Sequence, residues 1–285
     1  MTSLYLIIAF ALLYAWKKTR QFAIYFLPWL IFAVTYDSMR FYPNYLVNDI
    51  DVRGLYEAEK SLFGITASSS ADLQAIADHT NVMIPGEWFK VHHCGFADFM
   101  AGIFYLCWVP VPVAFALYLF LKKQYKWFMR FSWSFLVVNL IGFIGYYIHP
   151  ASPPWYVMNY GFEPILHTPG NVAGLGHFDS LVGFPVFHGI YAKNANVFAA
   201  VPSLHAAYML VATIYAALSH KRKTTIALFA IICMGIWWTA VYSGHHYIID
   251  VTLGILTALI GVLLMEKVVF KIIEKKTSHT QETRQ

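Results

Sequence analysis

Three ionisable residues stand at the ends of apolar runs: His205 in Pro202-Ser203-Leu204-His205, and His246 and Asp250 in His246-Tyr247-Ile248-Ile249-Asp250. Placed in or beside a membrane span, such groups are costly unless paired, and they mark function by default. Residues four apart on a helix share a face, with β-carbons ~5–6 Å apart, so the spacing predicts that Asp250 accepts a hydrogen bond from one His246 ring nitrogen. That bond would fix the tautomer, aim the second nitrogen outward as a nucleophile and stabilise the cation formed on attack. His205 could then protonate the departing oxygen, because an imidazole with an ordinary pKa of about 6.5 both gives and takes protons at neutral pH. Pro202 suits the first position of a helix. Ser203 and His205 would then sit on an opening turn whose free N–H groups favour a phosphate. A His246–Asp250 bond with no catalysis would use the same two residues. For His79, His92, His167 and His188 a structural or headgroup-level role is the commoner reading.

The elements that must position these residues are membrane helices. The chain is 59% hydrophobic and only 12% charged, against roughly 25% charged in soluble domains. Since about 20 apolar residues cross the hydrocarbon layer, six segments are predicted as core spans: Phe22 to Met39, Phe99 to Leu121, Phe131 to His149, Pro202 to Ser219, Thr224 to Tyr242 and Tyr247 to Met265. Leu4 to Trp16 adds a short N-terminal hydrophobic helix. It lacks a basic n-region and a small-residue cleavage site, so it reads as a retained anchor. The expected fold is all-α, a polytopic transmembrane helix bundle. Its organisation is an N-terminal helix and basic turn over 1–21, one membrane domain over 22–270 with long outer connections at 41–98 and 150–201, and a polar cytoplasmic tail over 271–285.

Basic residues orient the bundle, because cytoplasmic flanks are enriched in Lys and Arg. Alternate connections divide the twenty basic residues fifteen to five, the minority side holding only Arg40, Arg53, Lys60, Lys90 and Lys193. Ten of the twelve histidines fall on that minority side, so His205 and His246 are expected at the periplasmic or lumenal face, of the inner membrane if the source is bacterial. The net charge of +5 is spent on these topology clusters rather than on a nucleic-acid surface. Cys94, Cys107 and Cys233 form no close-spaced pair, and no H-E-x-x-H spacing is present. Hence no metal, soluble cofactor or obligatory protein partner is expected.

Val197-Phe198-Ala199-Ala200-Val201-Pro202-Ser203-Leu204-His205-Ala206 and Tyr242-Ser243-Gly244-His245-His246-Tyr247-Ile248-Ile249-Asp250-Val251 resemble the second and third signature motifs of the type-2 phosphatidic acid phosphatase superfamily. They are similar, more narrowly, to its branch of inositol phosphorylceramide synthases. Pro150-Ala151-Ser152-Pro153-Pro154-Trp155-Tyr156 is similar to the proline-rich segment of that branch, and Glu59 to Gly64 to its first outer loop. The resemblance covers about residues 45 to 265. It implies that His246 is the nucleophile, Asp250 its partner and His205 the general acid, with a phosphohistidine intermediate formed without metal. Water would resolve that intermediate in a phosphatase, an alcohol in a transferase.

Two departures from the superfamily pattern bear on the choice. Lys and Arg are missing before the proline of the first motif, where Ala151-Ser152-Pro153-Pro154 stands, and Ala240 occupies the place of an arginine in the third. A phosphodiester carries one charge where a monoester carries up to two, and so needs less neutralisation. The expected activity is therefore transfer of a phosphoinositol headgroup from phosphatidylinositol, the phospholipid donor, to ceramide, a sphingolipid acceptor. A lipid phosphate phosphatase is the alternative. A non-enzymatic transporter is disfavoured, because the ionisable set sits at one face rather than along a transmembrane path. Ser203, Lys193 and Asn196, all within twelve residues before His205, are the candidate substrate-binding residues.

Overall fold

Among the described residues five helical stretches are long and apolar enough to cross a bilayer, namely Arg20–Phe41, Gly95–Leu121, Tyr125–Ile148, Lys223–Tyr242 and Ile248–Thr277, while Leu4–Ala15 and Leu204–Leu218 are apolar but shorter. The computed structural model describes residues 2–191 and 196–282. α1 (Thr2–Ala15) and α2 (Arg20–Ser38) form a hairpin, closed where Thr19 Oγ1 and Arg20 Nε donate to the otherwise unpaired carbonyls of Leu13 (2.6 Å) and Tyr14 (2.9 Å). The first long connection folds into α3 (Gly54–Phe63), α4 (Ser70–Ala75) and α5 (Pro85–Val91), with β1 (Ile65–Thr66) paired antiparallel to β2 (Val82–Met83) in the register Ile65 to Met83. α6 (Gly95–Leu106), α7 (Pro110–Leu121) and α8 (Tyr125–Ile148) follow. The second long connection contains α9 (Pro154–Tyr160), α10 (Gly176–Val182) and α11 (Val186–Tyr191). α12 (Leu204–Leu218), α13 (Lys223–Tyr242) and α14 (Ile248–Leu264) complete the bundle, α14 passing through a π turn at Met265–Val269 into α15 (Phe270–Glu282). The molecule is an all-α polytopic membrane bundle.

Two differences from the sequence reading have physical causes. The span expected over Phe99 to Leu121 breaks at Cys107–Val109, because Pro110 and Pro112 lack N–H groups and fit only the first turn of a new helix. α12 begins at Leu204 rather than Pro202, since Ser203 is its N-cap, and its fifteen residues reach ~22 Å at 1.5 Å per residue.

α12 is the hub, packed on α8, α13 and α14. Lipid is as apolar as a leucine side chain, so helices associate there through close packing and hydrogen bonds. Ala206, Ala207, Ala212 and Ala216 of α12 are fully buried and let neighbours approach. Gly254 of α14 lies so close that a β-carbon there would stand 2.1 Å from the Ser203 carbonyl oxygen. Polar bonds pin the interior: Tyr208 donates to Asn139 Oδ1 (2.6 Å) and Tyr215 to Glu266 Oε1 (2.6 Å), while Arg130 pairs with Glu266 and Glu274. Each such interhelical bond contributes ~0.6–2 kcal/mol.

The two outer connections are stitched to each other beneath the site. Ala151 N–H donates to the Phe198 carbonyl (3.0 Å), Ser152 N–H to that of Asp51 (3.0 Å), and Asp51 N–H to that of Pro150 (2.7 Å). The proline-rich segment is thus a rung between the first loop and the strand of chain leading to His205.

Candidate active site

His205 is the second residue of α12, whose start is fixed by the cap: Ser203 Oγ accepts from Ala206 N–H at 3.4 Å. Ser203 N–H in turn donates to the Asp250 carbonyl (3.0 Å), locking the start of α12 to α14. His246 comes from the turn after α13. Gly244 adopts φ +72°, a left-handed conformation that glycine takes without strain, and the reversal lets His246 N–H donate back to the Ala240 carbonyl (2.9 Å). α9 docks on this turn, Trp155 N–H donating to the Gly244 carbonyl (2.9 Å).

The His246–Asp250 pairing arises differently from the sequence expectation of a shared helical face. His246 precedes α14, Tyr247 is the N-cap, and Asp250 folds back over the cap. One carboxylate oxygen, Oδ2, accepts from Tyr247 N–H (3.0 Å) and meets His246 Nδ1 at 3.3 Å. On its other side His246 Nε2 meets His205 Nδ1 at 3.0 Å. If Nδ1 of His246 donates to the carboxylate, its Nε2 carries the lone pair and the proton in the second contact belongs to His205 Nδ1. Burial pushes the His246 imidazole down to about 4, so it is neutral, the nucleophilic form, at physiological pH. Tyr105 and Trp108 flank the His205 ring, with centroids at 5.1 and 4.3 Å, and aromatic faces stabilise an adjacent cation. Trp108 lies in the break between α6 and α7.

A cavity of about 490 Å³ opens onto His205 between α2, α8 and α12, with Phe32, Phe143 and Ile190 among its apolar walls and Arg40 and Asn196 among its polar groups. Its size suits a lipid-like ligand. Arg40 also pairs with Asp37. Asn196 Nδ2 donates to Asn44 Oδ1 (2.7 Å) and its Oδ1 accepts from Phe198 N–H (3.0 Å), so it shapes the loop as well as lining the cavity. Ser203 is buried as the α12 cap and does not line the cavity. Lys193 lies outside the described residues. The structure therefore brings together His205, His246 and Asp250, places His205 and Asn196 on the wall of the cavity with His246 and Asp250 buried behind His205, and leaves Ser203 as the buried cap of α12.

Sequence reasoning assigned no role to one group that holds this arrangement. Glu59 of α3 is buried, and its two carboxylate oxygens accept from the first N–H groups of α14, Ile248 (2.8 Å) and Ile249 (3.2 Å). It thereby anchors the helix that carries Asp250. No local spacing could announce a contact across 189 residues; the available signal was an acidic residue in the loop segment that resembles the synthase branch.

Known proteins match this chain along most of its length. It is 57% identical over 272 residues, 95% of the chain and 84% of the relative, to phosphoinositol dihydroceramide synthase of Bacteroides thetaiotaomicron. It is 26% identical over 95% of the chain to inositol phosphorylceramide synthase of Candida albicans, and 28% identical over 87% to the catalytic subunit of that synthase in Schizosaccharomyces pombe. The chain spans about half the length of those fungal relatives, 53% and 55%. No solved structure matches. The PAP2 superfamily profile matches residues 78–264, which include the His205 and His246–Asp250 motifs, and the chain belongs to the PAP2 superfamily as a membrane phosphotransferase.

Proposed function

We infer that the chain transfers phosphoinositol from phosphatidylinositol to a ceramide through a phosphohistidine at His246. The observation that carries the mechanism is the line Asp250 Oδ2, His246, His205, with contacts of 3.3 and 3.0 Å and its His205 end on the wall of the lipid-sized cavity. His246 Nε2 attacks the donor phosphorus. The bond from phosphorus to the diacylglycerol oxygen breaks, and that oxygen takes a proton from His205, which enters the step as the imidazolium and leaves it neutral. Asp250 holds the His246 tautomer and offsets the positive charge on the ring. In the second half His205 takes the proton of the ceramide primary hydroxyl, whose oxygen attacks phosphorus and releases His246. Atoms and charge balance without a further reactant.

The diester donor agrees with the sparse cations: Ala240 is fully buried, leaving no room for an arginine, and Arg40 is the cavity's charged donor among the described residues. We assign headgroup contact to Asn196 and Arg40 at the cavity, with Lys193 nearby in sequence and Ser203 acting through the α12 start. The 57% identity to a phosphoinositol dihydroceramide synthase supports a ceramide-type acceptor. Purified protein given phosphatidylinositol labelled in phosphorus is expected to move the label to ceramide and release diacylglycerol. Release of water-soluble label at the same rate with and without ceramide would identify a hydrolase instead.

We place the site on the periplasmic or lumenal face, as the basic clusters require. Because Cys94 is exposed and Cys107 half-buried, the test uses a Cys94→Ser/Cys107→Ser background with one added cysteine, at Ser180 or Lys223. An impermeant thiol reagent on intact cells is expected to label the first alone, and labelling of the second alone would reverse the orientation.

A further inference from the structure

The outer connections hold a second His–Asp–His cluster, away from the lipid cavity. His93, in the link between α5 and α6, contacts Asp98 of α6 through Nδ1 and Oδ2 at 3.0 Å. His177 of α10 stacks on His93, with centroids 4.1 Å apart and planes at 18°. One ligand atom from each of the three lies within 4.8 Å of the others. Asp98 is buried while both histidines are exposed. Its second oxygen, Oδ1, accepts from the Tyr242 hydroxyl at 2.7 Å, so the carboxylate is held from behind by α13. The cluster lines a cavity of about 240 Å³ whose walls mix polar groups such as Lys90, Asn159 and Asn171 with apolar ones such as Phe89 and Trp155.

From this geometry we propose that His93, Asp98 and His177 bind a divalent transition-metal ion of the zinc type, clamping the second outer connection to α6 and α13. Two imidazoles and one carboxylate are a zinc donor set, and three protein ligands leave a fourth position open to water from the cavity. Bonds of ~2.0–2.2 Å put tetrahedral ligand atoms ~3.3 Å apart; the His93–Asp98 pair already stands at 3.0 Å, and a side-chain rotation of exposed His177 closes the rest. The Tyr242–Asp98 bond is the outer support that metal-ligating carboxylates commonly have. The ligands come from two outer segments, more than seventy residues apart in sequence, so motif spacing could not reveal them. Three other pairs among the described residues of this face, His92–Asp72, His149–Asp51 and His188–Asp179, are not part of a three-ligand cluster and serve as internal controls.

The test is titration of chelator-stripped, purified full-length protein with zinc chloride alone, read by competition with a chromophoric chelator and by the shift in thermal midpoint. One equivalent is expected to bind and to raise the midpoint. His177→Ala and His93→Ala are each expected to weaken binding at least tenfold and to abolish the shift, while His188→Ala and Cys94→Ser leave both intact. Both cluster histidines are exposed, so loss of fold is readily separated by elution profile; His177→Gln repeats the test with a bulkier side chain. Absence of stoichiometric binding up to submillimolar zinc, or binding unchanged in the His93→Ala/His177→Ala protein, overturns the proposal.

Discussion

The two clusters of two histidines and an aspartate in this chain use the same residue types in different geometries. In each, a histidine Nδ1 faces an aspartate oxygen, at 3.3 Å for His246–Asp250 and 3.0 Å for His93–Asp98. The third ring differs. His205 meets His246 nitrogen to nitrogen at 3.0 Å, an arrangement suited to passing a proton, whereas His177 lies flat on His93 and presents its nitrogens beside it. Burial differs too: the His246 and Asp250 side chains are 6% and 0% exposed, those of His93 and Asp98 36% and 4%. A His–Asp pair therefore does not define a reaction by itself. The chemistry follows from where the second imidazole is held and from what the pair opens onto.

The largest effects should separate the clusters cleanly. His246→Ala is expected to abolish transfer and to leave no acid-labile phosphate on the protein after exposure to labelled donor, whereas His177→Ala should leave that phosphate detectable. Retained activity in a well-inserted His246→Ala protein would falsify the phosphohistidine route. His205→Ala should slow transfer by roughly 10²–10⁴, the range for loss of general acid–base catalysis. Because the defect is leaving-group protonation, a nitrophenyl phosphodiester donor should restore part of the first half-reaction. Equal losses with both donors would remove His205 from that role.

Asp250→Asn sharpens the comparison, since it keeps the shape of the capping residue while removing the charge that orients His246. An amide can present its N–H toward the ring and favour the wrong tautomer, a change that costs ~10⁴ in a triad of this kind. The expected signature is a drop in kcat with little change in KM, and a smaller amount of trapped phosphoenzyme. If Asp250 only caps α14, the same variant should lose thermal stability and keep its turnover.

The grouping of His205, His246 and Asp250 was legible in the sequence and that of His93, Asp98 and His177 was not, for a physical reason. His205, His246 and Asp250 interrupt long apolar runs, and an ionisable group there is conspicuous. The spacing of four correctly paired His246 with Asp250, although the contact forms around the N-cap of α14 rather than along its face. Five of the six expected core spans coincide with helices long and apolar enough to cross a bilayer, and the sixth, α12, is apolar but shorter. The short helices within 41–98 and 150–201 were not legible, because α3, α4, α5, α9, α10 and α11 run six to ten residues each, too brief for helical periodicity to stand out. Glu59, Trp108 and His177 owe their positions to those loops and to a proline break, that is, to tertiary structure.

The smallest expected effect concerns what stands behind each cluster: a neutral Tyr242 hydroxyl behind Asp98, but the buried Glu59 carboxylate beneath α14. Burial is the main reason the Glu59 carboxyl is raised to about 7, with Asp250 adding to the rise and the Ile248 and Ile249 N–H groups opposing it. A carboxyl raised from about 4.5 keeps its proton in the folded state over a range where the unfolded chain has released it. Its contribution to stability is therefore full below about 4.5 and is lost as pH rises to about 7. Above that pH the ionised carboxylate costs stability, yet it accepts both N–H groups and holds the start of α14 in place. As a positioning residue, Glu59 should give kcat a rising limb centred near pH 7, since His246 is already neutral there. Glu59→Gln keeps the size but offers one acceptor for two donors; it is expected to lower kcat about tenfold, in line with loss of one charge-assisted hydrogen bond, with KM unchanged and the limb near 7 gone. Its thermal midpoint, relative to wild type, should rise between pH 5 and pH 8. An unchanged limb in the Gln variant would leave Glu59 with a packing role and assign that ionisation elsewhere in the site.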